Sequence, residues 1–493
     1  MQEPCIVNVQ VINDIVLAAI NAKWIHPCYA LRLLKANLGL LEHRCSILEF
    51  ALRQRDSEKI DQILSASPKI LGLSVSIWNH KATLDLLKAL HEKWRQRPWI
   101  ILGGPEVSWL PEDEEIFKYA DYVIRFEGEE AFRELCERLL NTEGSIPAFG
   151  KVKFISPPLP EISRITPAYH LYNPEDLERK LIYVESSRGC VFGCDFCLSS
   201  LDKKLREFPL DVFLADMNEL LDRRDHSIKR YPKQTIKFLD RSFNTNPKRA
   251  IEILRFFLDR IEREHRNSSL CVHFEMLPFN FPSELRNLLS AFPPGSLRIE
   301  LGIQTLNPMV ARLINRAGNA EEQLEIMSFL REETNAIVHA DLIAGLPGED
   351  IGSFAMGFNR LWMTSSSGQT MEIQLGILKL LPGAPMARHS LAYGMVYAAK
   401  APYEVIETSA VPAVEMDRIK NFARFWEILV NRGHFPEEIS RLISPEKPVF
   451  WPFMELSDRL LEHFGRNWGI DRKELREVLK TTLHTQQSLR LRQ

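Results

Sequence analysis

The chain is poor in cysteine for its length, nearly neutral, and without a long apolar run. It has 493 residues, eight cysteines and a formal net charge of −3. So few cysteines exclude a disulfide-stapled scaffold, and the small charge argues against a nucleic-acid partner, whose phosphates require surplus Lys and Arg. No stretch approaches the roughly 18 apolar residues of a membrane helix, and the N-terminus lacks a secretory signal pattern. We therefore expect a cytoplasmic protein with no membrane span.

The first 150 residues alternate apolar runs with amphipathic stretches. Continuous apolar strands between helices are typical of a parallel sheet covered on both faces. The runs at 15–20, 45–50, 70–75, 99–102 and 122–126 predict a doubly wound, Rossmann-like α/β domain over residues 1–150. Closely spaced prolines then predict an extended linker over residues 151–178, because proline continues neither a helix nor a central strand.

The strand and helix alternation restarts at residue 179. Strand-like runs at 181–185, 235–240, 270–276, 297–304, 337–344 and 371–378 are separated by helical patterns. They predict a partial TIM-type (β/α)6 barrel over residues 179–400, with chemistry at the carboxyl ends of the strands. Residues 401–493 are helical by pattern and rich in aromatic residues. We predict a helical C-terminal domain whose rings form a buried cap or, alternatively, line part of a substrate pocket.

Three cysteines lie within eight residues, in the sequence SSRGCVFGCDFCLSS. Cys190, Cys194 and Cys197 have Cys-x3-Cys-x2-Cys spacing directly after the first predicted barrel strand. Cysteines this close can converge on one soft metal centre, and Gly189 and Gly193 let their loop fold tightly. Zinc with a distant fourth ligand and chance proximity remain the alternatives. The other five cysteines are scattered: Cys5, Cys28, Cys45, Cys136 and Cys271. Three of them lie in or next to apolar runs, where a buried small side chain is expected.

This motif after the first strand of a βα barrel resembles the signature of the radical S-adenosylmethionine superfamily, including Phe196 before the third cysteine. The resemblance implies that Cys190, Cys194 and Cys197 bind a 4Fe–4S cluster and form the catalytic centre. It also implies that S-adenosylmethionine chelates the open iron and is cleaved to a 5′-deoxyadenosyl radical. The protein would then orient the cofactor and exclude water and oxygen.

Two later strands resemble the branch of this superfamily that contains the oxygen-independent coproporphyrinogen oxidases and the methylthiotransferases. The matching sequences are SLRIELGIQTLNPMV and VHADLIAGLPGED. By this resemblance, Glu300, Gln304 and Asp341 point into the barrel near S-adenosylmethionine. A carboxylate in a buried strand needs a partner, so the alternative for Glu300 is a structural ion pair with a residue such as Arg298 or Arg316.

The second barrel strand departs from the superfamily pattern. Many members carry Gly-Gly-Glu after this strand to hold the methionine amino group, whereas this chain has FLDRSFN. Asp240 is the candidate for that role. In the fifth-strand motif, the sequence favours a turn over direct cofactor contacts for Gly345, Pro347 and Gly348.

The N-terminal domain resembles the cobalamin-binding domain of one large radical S-adenosylmethionine class. The matching sequences GLSVSIWN, ILGGPEVS and YVIRFEGEEAF cover the ends of the third, fourth and fifth strands, where α/β folds bind ligands. The resemblance implies cobalamin contacts from these loops: Ser74, Ser76, Gly103, Gly104, Glu127 and Gly128. The alternative is a degenerate domain that serves as a scaffold. The Asp-x-His-x-x-Gly motif of methionine synthase-like proteins is missing, and His26 lacks that pattern, so the lower ligand of cobalt is not predicted.

Together these resemblances predict an enzyme, a cobalamin-dependent radical S-adenosylmethionine methyltransferase that acts on an unactivated carbon of a small-molecule substrate. They further indicate a subgroup with its own helical C-terminal extension. The expected electron donor is a protein such as a flavodoxin or ferredoxin. Two alternatives stay open: a non-methylating radical reaction with cobalamin, such as a rearrangement or cyclisation, and a non-catalytic protein that binds an iron–sulfur cluster or cobalamin.

Overall fold

A computed structural model describes most of the chain. It covers residues 13–142, 146, 149–199, 201–227, 234–263, 270–364, 371–444 and 446–490, without the side chains of residues 227 and 483–490. Cys5, one of the scattered cysteines, lies outside the described residues. By their internal contacts, the described residues divide into a unit of Met1–Val184 with Asp211–Gln234 and a unit of Glu185–Leu210 with Thr235–Gln493. The four domain boundaries drawn from the sequence stay a prediction.

Parallel strands form the sheet of the first unit. They are β1 (Ile15–Asn21), β2 (Cys45–Ala51), β3 (Ile70–Ser74), β4 (Trp99–Gly103), β5 (Tyr122–Ile124) and β6 (Lys153–Ile155). Among the described residues they pair in the order β2-β1-β3-β4-β5-β6, all parallel. The strands predicted over the first 150 residues are confirmed. The edge strand β6 was not predicted, because three residues are too few to show a period.

Helices cover both faces of this sheet. They are α1 (Tyr29–Ala36), α2 (Asp56–Ala66), α3 (His80–Lys93) and α4 (Glu129–Leu140). Apolar side chains of α2 and α3, such as Ile63 and Leu90, belong to one core, and those of α1 and α4, such as Leu31 and Phe132, belong to the other. The doubly wound class is therefore confirmed, and the strand order reverses between β1 and β3, the position where such sheets bind ligands.

The proline-rich segment packs against the first unit. Its short helix α5 (Pro174–Arg179) begins with a capping box, in which Asn173 accepts from the Asp176 backbone amide at 2.8 Å. Asp176 is buried and pairs with the Arg32 guanidinium at 2.8 Å. A buried carboxylate needs such a partner, so this contact ties α5 to α1.

The strands that follow confirm the predicted barrel. They are β7 (Ile182–Val184), β8 (Ser187–Gly189), β9 (Leu205–Glu207), β10 (Gln234–Phe238), β11 (Leu270–Met276), β12 (Leu297–Gln304), β13 (Ile337–Ala344) and β14 (Glu372–Ile377). The barrel sheet has the order β14-β13-β12-β11-β10-β7, and β8 pairs with β9 as a separate antiparallel hairpin. The described helices between these strands are α6 (Leu210–Ser227), α7 (Pro247–Arg263), α8 (Ser283–Ala291), α9 (Pro308–Leu313), α10 (Ala320–Glu332) and α11 (Ile351–Trp362).

The barrel strands alternate apolar and polar side chains. On β12, Leu297, Ile299 and Leu301 are fully buried, whereas Arg298 and Glu300 between them are partly exposed. The α7 ring Phe257 packs on Phe238 of β10 with centroids 5.7 Å apart. Since successive side chains of a strand point to opposite faces, the apolar face lies under the helices and the other face is a polar wall.

The C-terminal segment is mostly helical, as expected. It contains the short strands β15 (Val396–Tyr397) and β16 (Val405–Glu407), followed by α12 (Ala413–Trp426), α13 (Pro436–Leu442), α14 (Phe450–Phe464) and α15 (Arg472–Arg490). Most aromatic residues singled out in the sequence are buried, including Phe422, Trp426 and Phe450, while Trp451 and Trp468 are exposed. This burial favours the helical cap. In the described part of the chain, no helix is both long and apolar enough to cross a membrane.

Candidate active site

The cysteine loop is framed by the β8–β9 hairpin. Gly189, the last residue of β8, has φ +84°, and a Cβ at this position would lie 2.1 Å from the Lys204 carbonyl oxygen. Only glycine fits such a close backbone approach. At Gly193 the nearest atom to an added Cβ is Cε of Lys203, at 2.9 Å. Because that lysine side chain can move, the fold requires glycine at Gly189 but not at Gly193.

Three thiols lie on this loop. Cys190 and Cys194 are buried, Cys197 is partly exposed, and none of the three forms a disulfide. The donor set fits an iron–sulfur cluster, because clustered soft thiolates are its usual ligands. Among the described residues, however, no three His, Cys, Asp or Glu side chains are already arranged around one metal position. The loop therefore carries thiols of the right kind, and their role as cluster ligands stays a prediction.

Arg316 approaches the loop from the turn after α9. Its Nη1 donates to the Cys194 sulfur at 3.7 Å, and its Nη2 donates to the Gly302 carbonyl of β12. Burial raises the pKa of the Cys194 thiol, and the Arg316 guanidinium opposes that shift. A cation next to a thiol favours the thiolate, which is the ligating form. Arg316 thus contacts a cysteine and not Glu300, contrary to one alternative stated above.

Asp240 is buried at the end of β10. Its carboxylate accepts from the Ser186 backbone amide at 2.9 Å and from the Ser186 and Ser187 hydroxyls at 2.6 Å each. Burial raises the pKa of Asp240, although these hydrogen bonds act in the opposite direction. In this arrangement both carboxylate oxygens fix the chain that leads into the cysteine loop. The predicted contact of Asp240 with the methionine amino group stays a prediction.

Glu300 lies on the polar wall beside the Lys237 ammonium and the His273 imidazole, whose pKa is lowered by burial. Lys237 Nζ lies 3.1 Å and His273 Nε2 lies 3.2 Å from Glu300 Oε2. Burial alone would raise the pKa of Glu300, but the His273 and Lys237 contacts lower it well below its ordinary value. Glu300 is therefore ionised and is an acceptor for hydroxyl groups. Its partners are neither Arg298 nor Arg316, the residues named in the structural alternative.

Asp341 faces the same wall from β13. His339 Nε2 lies 3.3 Å from Asp341 Oδ1, but neither atom makes an aligned hydrogen bond. Burial lowers the pKa of His339, but the carboxylates of Asp341, Glu300 and Glu372 raise it by more, so the net change is upward. The pKa of Asp341 is also raised, by burial and by the negative charge of Glu300, although His339 opposes this change. Buried polar atoms without aligned partners are uncommon in structural pairs. They are suited to accept a ligand.

Gln304 ends β12 in an unusual conformation. Its φ is +69°, and the pairing of β12 with β13 shifts register between Gly302 and Gln304. Positive φ is uncommon for a residue other than glycine and occurs often at functional sites. Phe196 is partly exposed on the cysteine loop. The cofactor contacts of Gln304 and Phe196 stay predictions.

Sequence reasoning missed three polar residues of this region. Arg241 follows Asp240 and is half exposed, and its Nη1 lies 3.1 Å from Glu275 Oε2 on β11. Cys197 is one of the groups that raise the pKa of Arg241, after the larger effect of Glu275. Glu349, in the GLPGED turn, is buried and accepts from the Thr305 hydroxyl at 2.7 Å. Arg241 lies in the FLDRSFN sequence and Glu349 in the GLPGED turn, whereas no motif pointed to Glu275.

The predicted cobalamin contacts lie at the carboxyl edge of the first sheet. Ser74 of β3 is in register with Gly103 of β4, and the Val75 amide donates to the Gly103 carbonyl at 2.8 Å. Gly104 has φ +108°, and a Cβ there would lie 2.5 Å from the Val75 carbonyl oxygen. At Gly103 the nearest atom would be 3.6 Å away. A side-chain atom added at Gly103 would therefore have room, whereas one added at Gly104 would clash with the backbone of Val75.

The remaining predicted contacts border the same edge. Ser76 is buried and its backbone amide donates to Asn79 Oδ1 at 2.7 Å. Glu127 and Gly128 are partly exposed, and Gly128 is the N-cap of α4. His26 Nδ1 lies 2.7 Å from the Tyr183 hydroxyl. The structure thus places all six predicted residues in loops or strand ends at one edge, while their contacts with cobalamin stay predictions.

Exposed aromatic rings follow four of the strands at this edge. Trp24 follows β1, Trp78 follows β3, Trp109 follows β4 and Phe126 follows β5. The Trp109 and Phe126 rings have centroids 5.0 Å apart. Exposed apolar surface marks ligand or interaction sites in folded proteins. The edge therefore fits a large, partly apolar ligand such as a corrin ring, and the sequence did not single out these rings.

Comparisons with known protein families agree with a chain built from an N-terminal sheet domain, a barrel and a helical C-terminal segment. Residues 15–136 match the family model of the B12 binding domain, residues 184–357 that of the radical SAM superfamily, and residues 391–486 a protein family of unknown function, DUF4080. The first match covers the sheet edge with Gly103 and Gly104, and the second covers the barrel with the three-cysteine loop. They confirm the expected cofactors, namely cobalamin for the first domain and a 4Fe–4S cluster with S-adenosylmethionine for the second.

Named relatives match about two thirds of the chain at low identity. An uncharacterised methyltransferase of Pyrococcus horikoshii is 25% identical over 339 residues, 64% of this chain and 66% of its own. The cobalamin-dependent radical SAM methyltransferase TokK of Streptomyces tokunonensis is 25% identical over 342 residues, 65% of this chain and 48% of its own. The chain thus spans between about half and two thirds of the length of these relatives.

A solved structure shows the same fold over nearly the whole chain. The cobalamin-dependent S-adenosylmethionine radical enzyme OxsB, determined with aqua-cobalamin, aligns with 96% of this chain and 75% of its own at a TM-score of 0.63 and 15% identity. The two chains therefore share their fold. The chain therefore carries a B12-binding domain ahead of a radical SAM domain, with a helical extension behind them.

Proposed function

We propose that the chain is a cobalamin-dependent methyltransferase that methylates an unactivated carbon of a small molecule. The observation that carries the proposal is the presence of two features in one chain. One is a loop of three cysteines beside a polar barrel wall, and the other is an edge of a doubly wound sheet that is lined by glycines and bordered by exposed aromatic rings. The relatives named as methyltransferases support it. The substrate class stays a prediction from the sequence.

In this proposal Cys190, Cys194 and Cys197 hold the cluster, and Arg316 favours the thiolate form of Cys194. When bound, the cluster and S-adenosylmethionine supply the radical, and cobalamin supplies the methyl carrier. Asp240 fixes the chain that leads into the loop through Ser186 and Ser187.

The polar wall orients S-adenosylmethionine. Glu300, kept ionised by Lys237 and His273, accepts hydrogen bonds from hydroxyl groups. Asp341 and Gln304 add polar contacts from the neighbouring strand ends, and Phe196 covers the cofactor from the loop. The half-exposed Arg241, paired with Glu275, presents a cation to a carboxylate.

The first sheet edge holds cobalamin. Gly103 permits close approach of the ring, Gly104 keeps the loop closed, and Ser74 and Ser76 provide hydroxyl groups. Glu127 and Gly128 border the ring at the start of α4. Because the cluster needs a reducing environment, the proposal includes the cytoplasm and an electron donor such as a flavodoxin or ferredoxin.

The test is product analysis on the anaerobically reconstituted chain. With dithionite and S-adenosylmethionine, we expect 5′-deoxyadenosine from repeated cleavage and S-adenosylhomocysteine in proportion to bound cobalamin. Cys194→Ala should abolish 5′-deoxyadenosine formation, while Cys271→Ala, outside the loop, should retain it.

Each outcome separates the alternatives. Unchanged cleavage by Cys194→Ala would refute the cluster assignment. Formation of 5′-deoxyadenosine without S-adenosylhomocysteine would favour a non-methylating radical reaction. No binding of S-adenosylmethionine by calorimetry would favour the non-catalytic alternative.

A further inference from the structure

A buried aspartate stands between two of the cluster cysteines. Asp195 follows Cys194 directly and is 1% exposed. Its backbone amide donates to the Ile314 carbonyl at 3.1 Å, and its carbonyl accepts from the Met386 amide at 3.0 Å. Its backbone is therefore held by two segments distant in sequence. One is the turn between α9 and α10, and the other is the 3₁₀ helix Pro385–His389.

The same two segments bind the carboxylate of Asp195. Asn315 Nδ2 donates to Oδ1 at 2.9 Å, and His389 Nε2 lies 2.6 Å from Oδ2. So short a contact places the imidazole proton on Nε2, as the donor. Arg388 also reaches Oδ2, at 2.5 Å, but it is half exposed. The buried His389 therefore contributes more than the half-exposed Arg388, because solvent screens exposed ion pairs, and the exposed Asn315 adds a neutral hydrogen bond.

The backbone conformation at Asn315 favours an asparagine at this position of the turn. Asn315 has φ +52°, a conformation in which asparagine is favoured over most residues other than glycine. The Arg316 side chain then donates to the Cys194 sulfur from the next position. One turn thus contacts two consecutive residues of the loop.

His389, which contacts the Asp195 carboxylate, lies outside the residues that match the radical SAM superfamily. The radical SAM match ends at residue 357, and the match to the family of unknown function begins at residue 391. The helix Pro385–His389 lies between these two matches, after β14. The chain therefore adds a support for the cysteine loop that the three cysteines alone do not reveal.

We propose that His389 and Asn315 are positioning residues that brace the segment from Cys194 to Cys197 through Asp195, so that the loop receives a cluster with little backbone rearrangement. The inference rests on the proposed cluster site. The Cys197 amide donates to the Cys194 carbonyl at 3.2 Å, which fixes the turn between these cysteines. Cys190, Cys194 and Cys197 would hold the cluster on this braced segment. Supports of this kind govern metal affinity as well as ligand orientation.

The experiment compares cluster retention in His389→Ala, Asn315→Ala and wild-type chains. After anaerobic reconstitution, iron and sulfide per chain and the rate of cluster loss to a chelator are measured. We expect both variants to lose the cluster roughly 10–100-fold faster, the range found when outer partners of metal ligands are removed. Arg388→Ala should have a smaller effect, and His434→Ala should behave as wild type.

Milder variants keep the test decisive if an alanine variant does not fold. Asp195→Asn keeps the shape of the side chain and removes its charge, so it should fold and lose the cluster faster. His389→Gln retains a donor and should recover part of the retention. Circular dichroism of the apo chains checks the fold.

The two hypotheses fail in different ways. Wild-type retention in His389→Ala, Asn315→Ala and Asp195→Asn would overturn the brace while leaving the cluster site intact. A wild-type chain that takes up no cluster would overturn the proposed cluster site itself.

Discussion

Glu349 was not among the predicted site residues, yet it links the ends of β12 and β13. It is buried in the turn after β13 and receives a hydrogen bond from Thr305, which directly follows the strained Gln304. Its Oε2 is buried without a hydrogen-bond partner. Burial raises the pKa of Glu349 from 4.5 to about 7. A protonated carboxyl therefore joins the ends of β12 and β13 in the folded protein.

This shift predicts a pH-dependent stability. The contribution of Glu349 is complete below the unfolded pKa of 4.5 and is lost as the pH rises through the folded value of about 7. At about 1.4 kcal/mol per pKa unit, the difference amounts to about 3 kcal/mol. Glu349→Gln cannot ionise, so its thermal midpoint should fall less than that of the wild type between about pH 5 and 8.

The measurement is thermal unfolding across this pH range, with the exposed Glu455→Gln as control. Parallel midpoint curves for Glu349→Gln and the wild type would contradict the prediction.

Residue patterns identified the cysteines but not all of their neighbours. Cys190, Cys194 and Cys197 could be found from spacing alone because they lie on one loop. Asp195 stands between two of them, yet its partners Asn315 and His389 come from sequence positions more than a hundred residues away. Such contacts depend on how strands and turns are arranged in the fold, so the spacing of residues along the chain does not predict them.

At the scale of elements, the end of β4 offers a matched pair of glycines. Gly104→Ala would place a Cβ 2.5 Å from the Val75 backbone at a positive φ, whereas Gly103→Ala would leave 3.6 Å. We expect Gly104→Ala to lower both the thermal midpoint and cobalamin binding, because the loop must shift. Gly103→Ala should keep the midpoint and weaken cobalamin binding, since its methyl group occupies space left for the ring.

Cobalamin titration followed by absorbance, alongside thermal unfolding, distinguishes the two effects. Wild-type affinity in Gly103→Ala would show that the ring does not approach at this position.

Element prediction succeeded where a period was long enough to read. The strands at 270–276, 297–304 and 337–344 agree with the structure residue for residue. The strands β6, β8, β9, β15 and β16 were missed, and each has only two or three residues. Alternation needs four or more residues to be visible, so these strands depend on their pairing partners.

At the scale of the whole molecule, the C-terminal helices share a core with the barrel. The ring of Trp426 on α12 lies 4.9 Å from Phe358 of α11 and 4.9 Å from Phe453 of α14, measured between centroids. Trp426 is fully buried. Since α11 follows a barrel strand, this aromatic cluster joins the helical cap to the barrel.

Trp426→Ala should therefore destabilise the second unit as a whole. Removing a buried aromatic ring costs roughly 3–5 kcal/mol, whereas Trp468→Ala, at an exposed ring, should stay within about 0.5 kcal/mol. Anaerobic calorimetry should show the barrel and cap unfolding together at a lower temperature in Trp426→Ala. Selective loss of the cap, with an unshifted barrel transition, would show that residues 401–493 fold as an independent domain.

The sequence by itself determined the α/β class, the order of a doubly wound domain, a barrel and a helical cap, and the three cysteines, because periodicity and local spacing report short-range geometry. The tertiary structure decided which polar groups meet. It showed that Glu300 lies beside Lys237 and His273, that Asp240 is engaged by Ser186 and Ser187, and that Asp195 is clamped from two distant turns. Buried polar groups must find partners wherever folding brings them together, and those partners are chosen by the arrangement of strands.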